Sequence, residues 1–191
     1  MIILCLIGKS ASGKTFVRDK LVKERGYKSL VTFTSRPPRK NEKQDITYHF
    51  ISKEDFEQKI EKGFFAEWKK YDNEQGVWYY GTALTDCYDA DDDTVMILTP
   101  DGVRDLQTIE IPMVVIYLYS NLNTIKQRLS IRGDNQKEVE RRIEADIKDF
   151  KDADTLADRI VYNNLSDDIE SVVENVDYWY KKILKEKSNE K

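Results

Sequence analysis

Apolar positions follow two rhythms along this chain, and the change from one to the other outlines a fold. Residues 2–7 form an unbroken apolar run of the kind found in strands buried on both faces of a parallel sheet. A Gly/Ser turn follows. Phe16, Val17, Leu21 and Val22 then set an apolar stripe at helical spacing, which Gly26 is placed to stop. A second short strand is predicted over 29–34. It runs into Ser35-Arg36-Pro37-Pro38-Arg39-Lys40, where two prolines forbid both helix and central strand, so this stretch reads as a loop. Residues 47–52 alternate like a strand, Phe56 and Ile60 mark a helix over 53–61, and 64–71 and 77–84 again look extended. The segment 33–82 is thus a β-rich excursion.

Two more buried-type strands, 94–98 and 111–119, are followed by helical patterns at 101–108 and 121–130, so a βαβ rhythm resumes. From 136 to about 157, Val139, Ile143, Ile147 and Phe150 recur at helical spacing on a charged background, predicting one long, half-exposed helix. A brief strand at 160–162 precedes a last helix. Ser166 is its expected cap, with Asp167 and Asp168 in the first turn, and Ile169, Val172, Val173, Val176, Trp179 and Ile183 form its apolar face. Residues 185–191 are expected to fray. There is no internal repeat.

Composition narrows the function classes. A chain of 191 residues with 40% hydrophobic and 35% charged positions makes one folded domain over 1–191 the expectation. Thirty-one basic against 35 acidic residues give a net charge of −4, which argues against a broad basic face for nucleic acid, so any anion site must be local. Cys5 and Cys87 are read as free thiols. The apolar N-terminal run has no basic flank or cleavage site and is too short to span a bilayer, so a cytoplasmic protein without membrane contact is expected. With His49 as the only histidine, His-based metal sites and a Ser/His/Asp triad lose their support, and His49 itself takes a strand position. Asp86, Asp89, Asp91, Asp92 and Asp93 read as a solvated turn ending a helix, and Trp68, Trp78 and Trp179 as packing residues.

Gly8-Lys9-Ser10-Ala11-Ser12-Gly13-Lys14-Thr15 matches G-x-x-x-x-G-K-[ST] between a buried strand and a helix, the context that motif requires. Glycines let backbone N–H groups converge on a triphosphate, and the helix N-terminus adds partial positive charge. Gly8, Ser10, Ala11, Ser12, Gly13, Lys14 and Thr15 are therefore candidate ATP-binding residues. Lys14 would bridge the β- and γ-phosphates, Thr15 would offer its hydroxyl to Mg²⁺, and Lys9 reads as a solvated charge nearby. The fold class implied is α/β: a P-loop NTPase three-layer fold with a central parallel sheet. The β-rich excursion would be its acceptor lobe. Thr32, Arg36, Arg39, Tyr48, Glu67, Tyr80 and Thr82 all fall in or beside it. Two arginines can fork onto a phosphate, the phenols can donate to its other oxygens, and a carboxylate can accept two N–H donors from a base edge. Guanine offers such a pair.

These residues resemble the guanylate kinase family over nearly the whole chain. The family loop T-x-R-x-P-R-x-x-E stands here as Thr34-Ser35-Arg36-Pro37-Pro38-Arg39-Lys40-Asn41-Glu42, followed by Tyr48-His49-Phe50; F-x-E-W is Phe65-Ala66-Glu67-Trp68; Y-G-[ST] is Tyr80-Gly81-Thr82. The resemblance implies that Arg36, Arg39, Tyr48 and Tyr80 hold the acceptor phosphate, and that Thr32, Glu67, Thr82 and Asp101 surround guanine. It also implies a helical lid over about 131–142, with Arg132 and Arg142 closing over the ATP phosphates, Arg128 second to them, and Asn163 beside adenine. The implied reaction is transfer of the γ-phosphoryl of MgATP to GMP or dGMP. Lys14, Arg36, Arg132 and Arg142 would do the catalysis, in a monomer or homodimer.

Several positions depart from the family. Ile97-Leu98-Thr99-Pro100-Asp101-Gly102 stands where L-D-I-D-x-x-G is usual, so Thr99 replaces the first aspartate and Asp101 matches the second only with two residues deleted after it. Thr47 replaces an aspartate, Asn41 and Asp45 replace glycines, and 72–77 is an insertion. These departures suggest a divergent branch. They leave two alternatives: a kinase for another monophosphate, such as dTMP, dUMP or a sugar phosphate, or an inactive binding module of the same shape.

Overall fold

The computed structural model describes residues 1–39, 42–73, 76–133 and 136–189. The expectations from sequence for Lys40 and Asn41, for residues 74 and 75 of the insertion, for 134 and 135 of the lid and for the last two residues of the tail lie outside these.

β1 (Ile3–Ile7) is buried along its whole length because it runs through the middle of a five-stranded parallel sheet. The order across that sheet is β2 (Lys28–Ser29), β7 (Thr94–Ile97), β1, β8 (Met113–Tyr119), β9 (Arg159–Tyr162). Strand alternation divides its apolar side chains between two cores. Leu4, Leu6, Val114, Ile116 and Leu118 meet Val17 and Leu21 of α1 (Lys14–Arg25) and Val172, Val173, Val176 and Tyr180 of α8 (Ile169–Asn189). Ile3, Cys5, Ile7, Val115 and Tyr117 meet Cys87 of α3 (Leu84–Tyr88), Val103 and Leu106 of α4 (Pro100–Thr108) and Ala153 of α7 (Ala153–Leu156). The result is a three-layer sandwich whose central strand delivers the Gly8–Thr15 loop to one edge.

A second sheet, in the order β4 (His49–Phe50), β3 (Phe33–Thr34), β6 (Gly76–Ala83), β5 (Phe65–Asn73), stands apart from the first. It is too small for an aliphatic core and uses rings instead. Phe56 of α2 (Lys53–Glu61) stacks on Phe65 at 4.3 Å and on Tyr79 at 5.3 Å, while Phe33 meets Phe64 and Phe65 edge-on. Ser52 caps α2 by accepting the Asp55 N–H. α5 (Leu122–Ile131) and α6 (Gln136–Asp149) complete the chain; α6 buries no residue fully.

Several sequence expectations are corrected. The strand expected over 29–34 is divided: Leu30 bonds to Val95 of the parallel sheet, whereas Phe33 pairs with Gly81 of the small one. The helix expected over 136–157 breaks after Asp149, because the chain must turn to stack Phe150 on Tyr117 and bury Ala153. Asp168 rather than Ser166 caps α8, accepting the Ser171 N–H, and Tyr180 joins its buried face by donating its hydroxyl to Ile2 O at 2.6 Å. Phe16 is half exposed, and Trp68 is 43% exposed with its ring meeting Tyr79 at 6.1 Å. Both cysteines are free and buried, and α8 runs to Asn189.

Candidate active site

The loop between β1 and α1 is held in a shape that few side chains allow. A Cβ on Gly8 would lie 2.5 Å from Ser12 Oγ and 2.6 Å from the Leu118 carbonyl oxygen, and one on Gly13, whose φ is +97°, would lie 2.4 Å from Asn163 Nδ2. Ala11 also takes a positive φ of 57°. Lys14 curls back into the loop and donates to the carbonyls of Gly8 (2.5 Å) and Lys9 (3.0 Å). Burial pushes its ammonium down to about 8, with Asp146 pulling the other way. Ser12 is fully buried, and its Oγ lacks a hydrogen-bond partner among the described residues.

Beside the loop lies a cavity of about 360 Å³ lined by Ala11, Gly13, Lys14, Thr15, Phe16, Arg128, Ile131 and Arg132, within the size range of small-ligand pockets. Arg128 of α5 donates to Ala11 O, Ser120 Oγ and Asn163 Oδ1. Asn163, expected beside a base, is only 1% exposed; its amide nitrogen donates to Ser12 O at 2.8 Å, so it braces the loop from beneath. Arg132, at the end of α5, lies close enough for its charge to be felt at Lys14. Arg142 is instead held on Glu138 of its own helix at 2.6 Å and does not line the cavity.

On the small sheet, Arg36 is 3% exposed and most of its N–H donors are already engaged. Its Nε donates to Tyr80 Oη (2.9 Å), its two terminal nitrogens fork onto Glu42 (2.8 Å each), and one of them also reaches Pro37 O. Burial opposes the guanidinium charge, but Glu42 and Tyr80 outweigh it and hold the pKa above its ordinary value. The Tyr48 ring sits 5.5 Å from the guanidinium and edge-on to Tyr80. Arg39 is exposed, and its backbone N–H donates to the same Glu42 carboxylate. Thr32 is half-buried, and its carbonyl accepts the His49 N–H.

Glu67 and Thr82 face each other across β5 and β6, joined by a 2.6 Å bond from the threonine hydroxyl. Burial pushes the Glu67 carboxyl up to about 7, with Thr82 offsetting part of that. The N-terminus of α4 sits close above it, since a Cβ on Gly102 would approach Glu67 Oε2 to 3.1 Å. Thr99, where a carboxylate was expected from the resemblance, caps α4 by accepting the Gly102 N–H. Asp101 is held by Lys69 at 2.8 Å and Arg104 at 3.0 Å.

Three residues at the site carry no role in the sequence reading. Glu42, quoted only as part of a motif, is the carboxylate that shapes Arg36. Lys69 is read there only as part of a strand. Asp146 was hidden in the charged background of α6, yet its carboxylate accepts the Ser10 N–H of the loop at 2.8 Å. Among the described residues no group of three or more His, Cys, Asp or Glu could hold a metal ion, and no helix is long and apolar enough to cross a membrane.

A sequence profile described as guanylate kinase matches residues 1–180. A guanylate kinase of Clostridioides difficile is 32% identical, covering 99% of this chain and 96% of its own, and one of Malacoplasma penetrans is 26% identical, covering 97% and 95%. In fold, the chain is similar to the crystal structure of guanylate kinase from Anaplasma phagocytophilum, with a TM-score of 0.68 at 17% identity over 94% of this chain and 85% of that one.

Proposed function

The chain belongs to the guanylate kinase family, and on that premise we propose that it transfers the γ-phosphoryl group of MgATP to GMP or dGMP, giving ADP and the diphosphate. One observation carries the acceptor reading. Glu67 and Tyr80 stand on the same pair of strands and the same face, the buried Glu67 carboxylate opposite Thr82 and the Tyr80–Arg36 pair two positions further along the ladder, opposite Lys69. A base edge with two N–H donors fits the first and a phosphate the second. Thr82 holds the Glu67 carboxylate in place, and Asp101 supplies a second acceptor near the base.

No strong base is needed, because the attacking phosphate oxygen is already anionic and catalysis consists of positioning and charge neutralisation. Lys14 provides the cation within the loop, and bound phosphates favour its protonated form. The loop N–H groups from Ser10 to Thr15 and the α1 N-terminus hold the phosphates. Arg132 and Arg128 close from α5, Asn163 supports both the loop and Arg128, and Arg142 reaches the phosphates by leaving Glu138. Arg36, fixed by Glu42, aligns the acceptor together with Arg39, Tyr48 and Tyr80. Thr15 suits Mg²⁺: it borders the cavity beside Lys14 and carries a hydroxyl, and this ion keeps several waters and takes one or two protein ligands plus phosphate oxygens. When bound, Mg²⁺ neutralises charge on the phosphoryl oxygens. Closure of the small sheet and the α5–α6 region over the substrates excludes water. We place the enzyme in the cytoplasm, as a monomer or homodimer.

The test is steady-state ADP production from MgATP with GMP, dGMP, AMP, dTMP, dUMP and CMP in parallel, with Lys14→Ala as the blank. Turnover confined to guanine nucleotides is expected. Inert GMP and dGMP alongside another active acceptor would overturn the acceptor assignment.

A further inference from the structure

Lys69 occupies a position that none of the motifs assigns. On β5 it is two residues from Glu67 and two from Tyr71, so the three share one face of the strand, and across the ladder Glu67 and Lys69 pair with Thr82 and Tyr80. This is the face that carries the acceptor residues. The ammonium lies 2.8 Å from Asp101 of α4 and 3.3 Å from Asp149 at the end of α6, and 6.0 Å from the Tyr71 ring. Its charge is also felt at Glu67 and Asp105. Burial opposes the charge on Lys69, but the two aspartates outweigh it and hold its pKa above the ordinary value.

One cation therefore ties together three parts of the molecule that must move relative to one another in a phosphoryl transfer: the small sheet, the core helix α4 and the charged helix α6. Its bond to Asp101 also uses the carboxylate that the acceptor base is expected to reach. A donor group of the base arriving at Asp101 competes with Lys69 for it, and the ammonium then has Asp149 as its remaining anionic partner. We propose that Lys69 is a positioning residue that couples acceptor binding to closure of α6: exchange of Asp101 from Lys69 to the base strengthens the bond from Lys69 to Asp149 and draws the end of α6 toward the small sheet. This rests on the reading of the cleft as a GMP site. Binding couplings are reciprocal, so the nucleotide on the loop that α6 meets through Asp146 and the acceptor each tighten the other by the same factor.

The experiment is a calorimetric titration of GMP into the whole protein, with and without a non-hydrolysable MgATP analogue, for wild type, Lys69→Met, Lys69→Arg and Asp149→Asn. In wild type the analogue is expected to tighten GMP binding by about 5- to 10-fold, at the low end of typical couplings. Lys69→Met and Asp149→Asn are expected to bring that factor to within about twofold of unity, while Lys69→Arg, which keeps the charge, retains most of it. A purely structural lysine would lower thermal stability and leave the coupling factor alone. An unchanged factor in Lys69→Met, or a wild-type factor of one, overturns the proposal. A wild type that binds no GMP at all overturns the acceptor reading instead, so the two failures are distinguishable.

Discussion

Replacing Glu67 by Gln removes a carboxyl that the fold holds at about 7, against an ordinary value of 4.5. The cause is burial beneath the α4 N-terminus, offset in part by the Thr82 hydroxyl. Because the folded value is the higher one, the folded protein binds the extra proton between the two values. Stability is full below about 4.5 and falls as pH rises toward 7. Above 7 both states are ionised and the loss is constant. At about 1.4 kcal/mol for each pH unit separating the folded and unfolded values, the loss amounts to roughly 3 kcal/mol. For a chain of this length, 1 kcal/mol moves the melting temperature by about 2–4 °C. Glu67→Gln cannot ionise, and pH 5 to 7 spans about two of those units, roughly 2.7 kcal/mol, so between pH 5 and pH 8 its melting temperature should gain roughly 5–11 °C on wild type. Thermal melts of both proteins in parallel buffers at constant ionic strength make the comparison. The same titration governs binding: a carboxylate accepts two N–H donors and a carboxyl does not, so the KM for GMP should rise as pH falls below 7 while the KM for ATP stays flat. A melting difference that does not change with pH would refute the argument that burial sets this group.

Asp146→Ala should lower the KM for ATP by about 5- to 10-fold, since Asp146 takes a loop N–H that a phosphate oxygen would otherwise receive; an unchanged or higher KM would show that the two do not compete. Glu42→Gln should raise the KM for GMP by at least tenfold and lower stability by about 3 kcal/mol, because Arg36 is left buried without its anionic fork; denaturant unfolding and initial rates check both. Gly13→Ala should abolish ATP binding in a protein that still folds, since the new Cβ meets Asn163 Nδ2 and the backbone stays at positive φ; residual binding near the wild-type affinity would contradict this.

Much of the candidate site was legible because the residue types suited to phosphate leave local signatures. The loop from Gly8 to Thr15 needs its glycines within a few residues of one another, so its spacing survives in one dimension, and the run of β1 before it and the stripe of α1 after it supply the context. The residues Arg36, Tyr80, Glu67 and Thr82 were found through short motifs, and the structure joins them in pairs. Other placements were not legible. Asn163 is suited by type to contact a ligand, but only the fold reveals that its amide is buried against Ser12 and Arg128. Arg142 and Arg132 look alike in sequence, yet Glu138 one helical turn away captures Arg142.

By itself the sequence determined the alternation of buried strands and helices, the glycine-bearing loop between β1 and α1 and the β-rich character of the small lobe, because each depends on periodicity or on conformational demands spanning a few residues. Only the tertiary structure decided how 29–34 is shared between two sheets, where the charged helix breaks, and which carboxylates answer which cations. Lys69 with Asp149, Asp146 with Ser10 and Asn163 with Ser12 join positions far apart in the chain. Such pairs lower the free energy only after packing has brought their elements together and removed water from between them, and nothing in the local pattern of a linear chain records that distance.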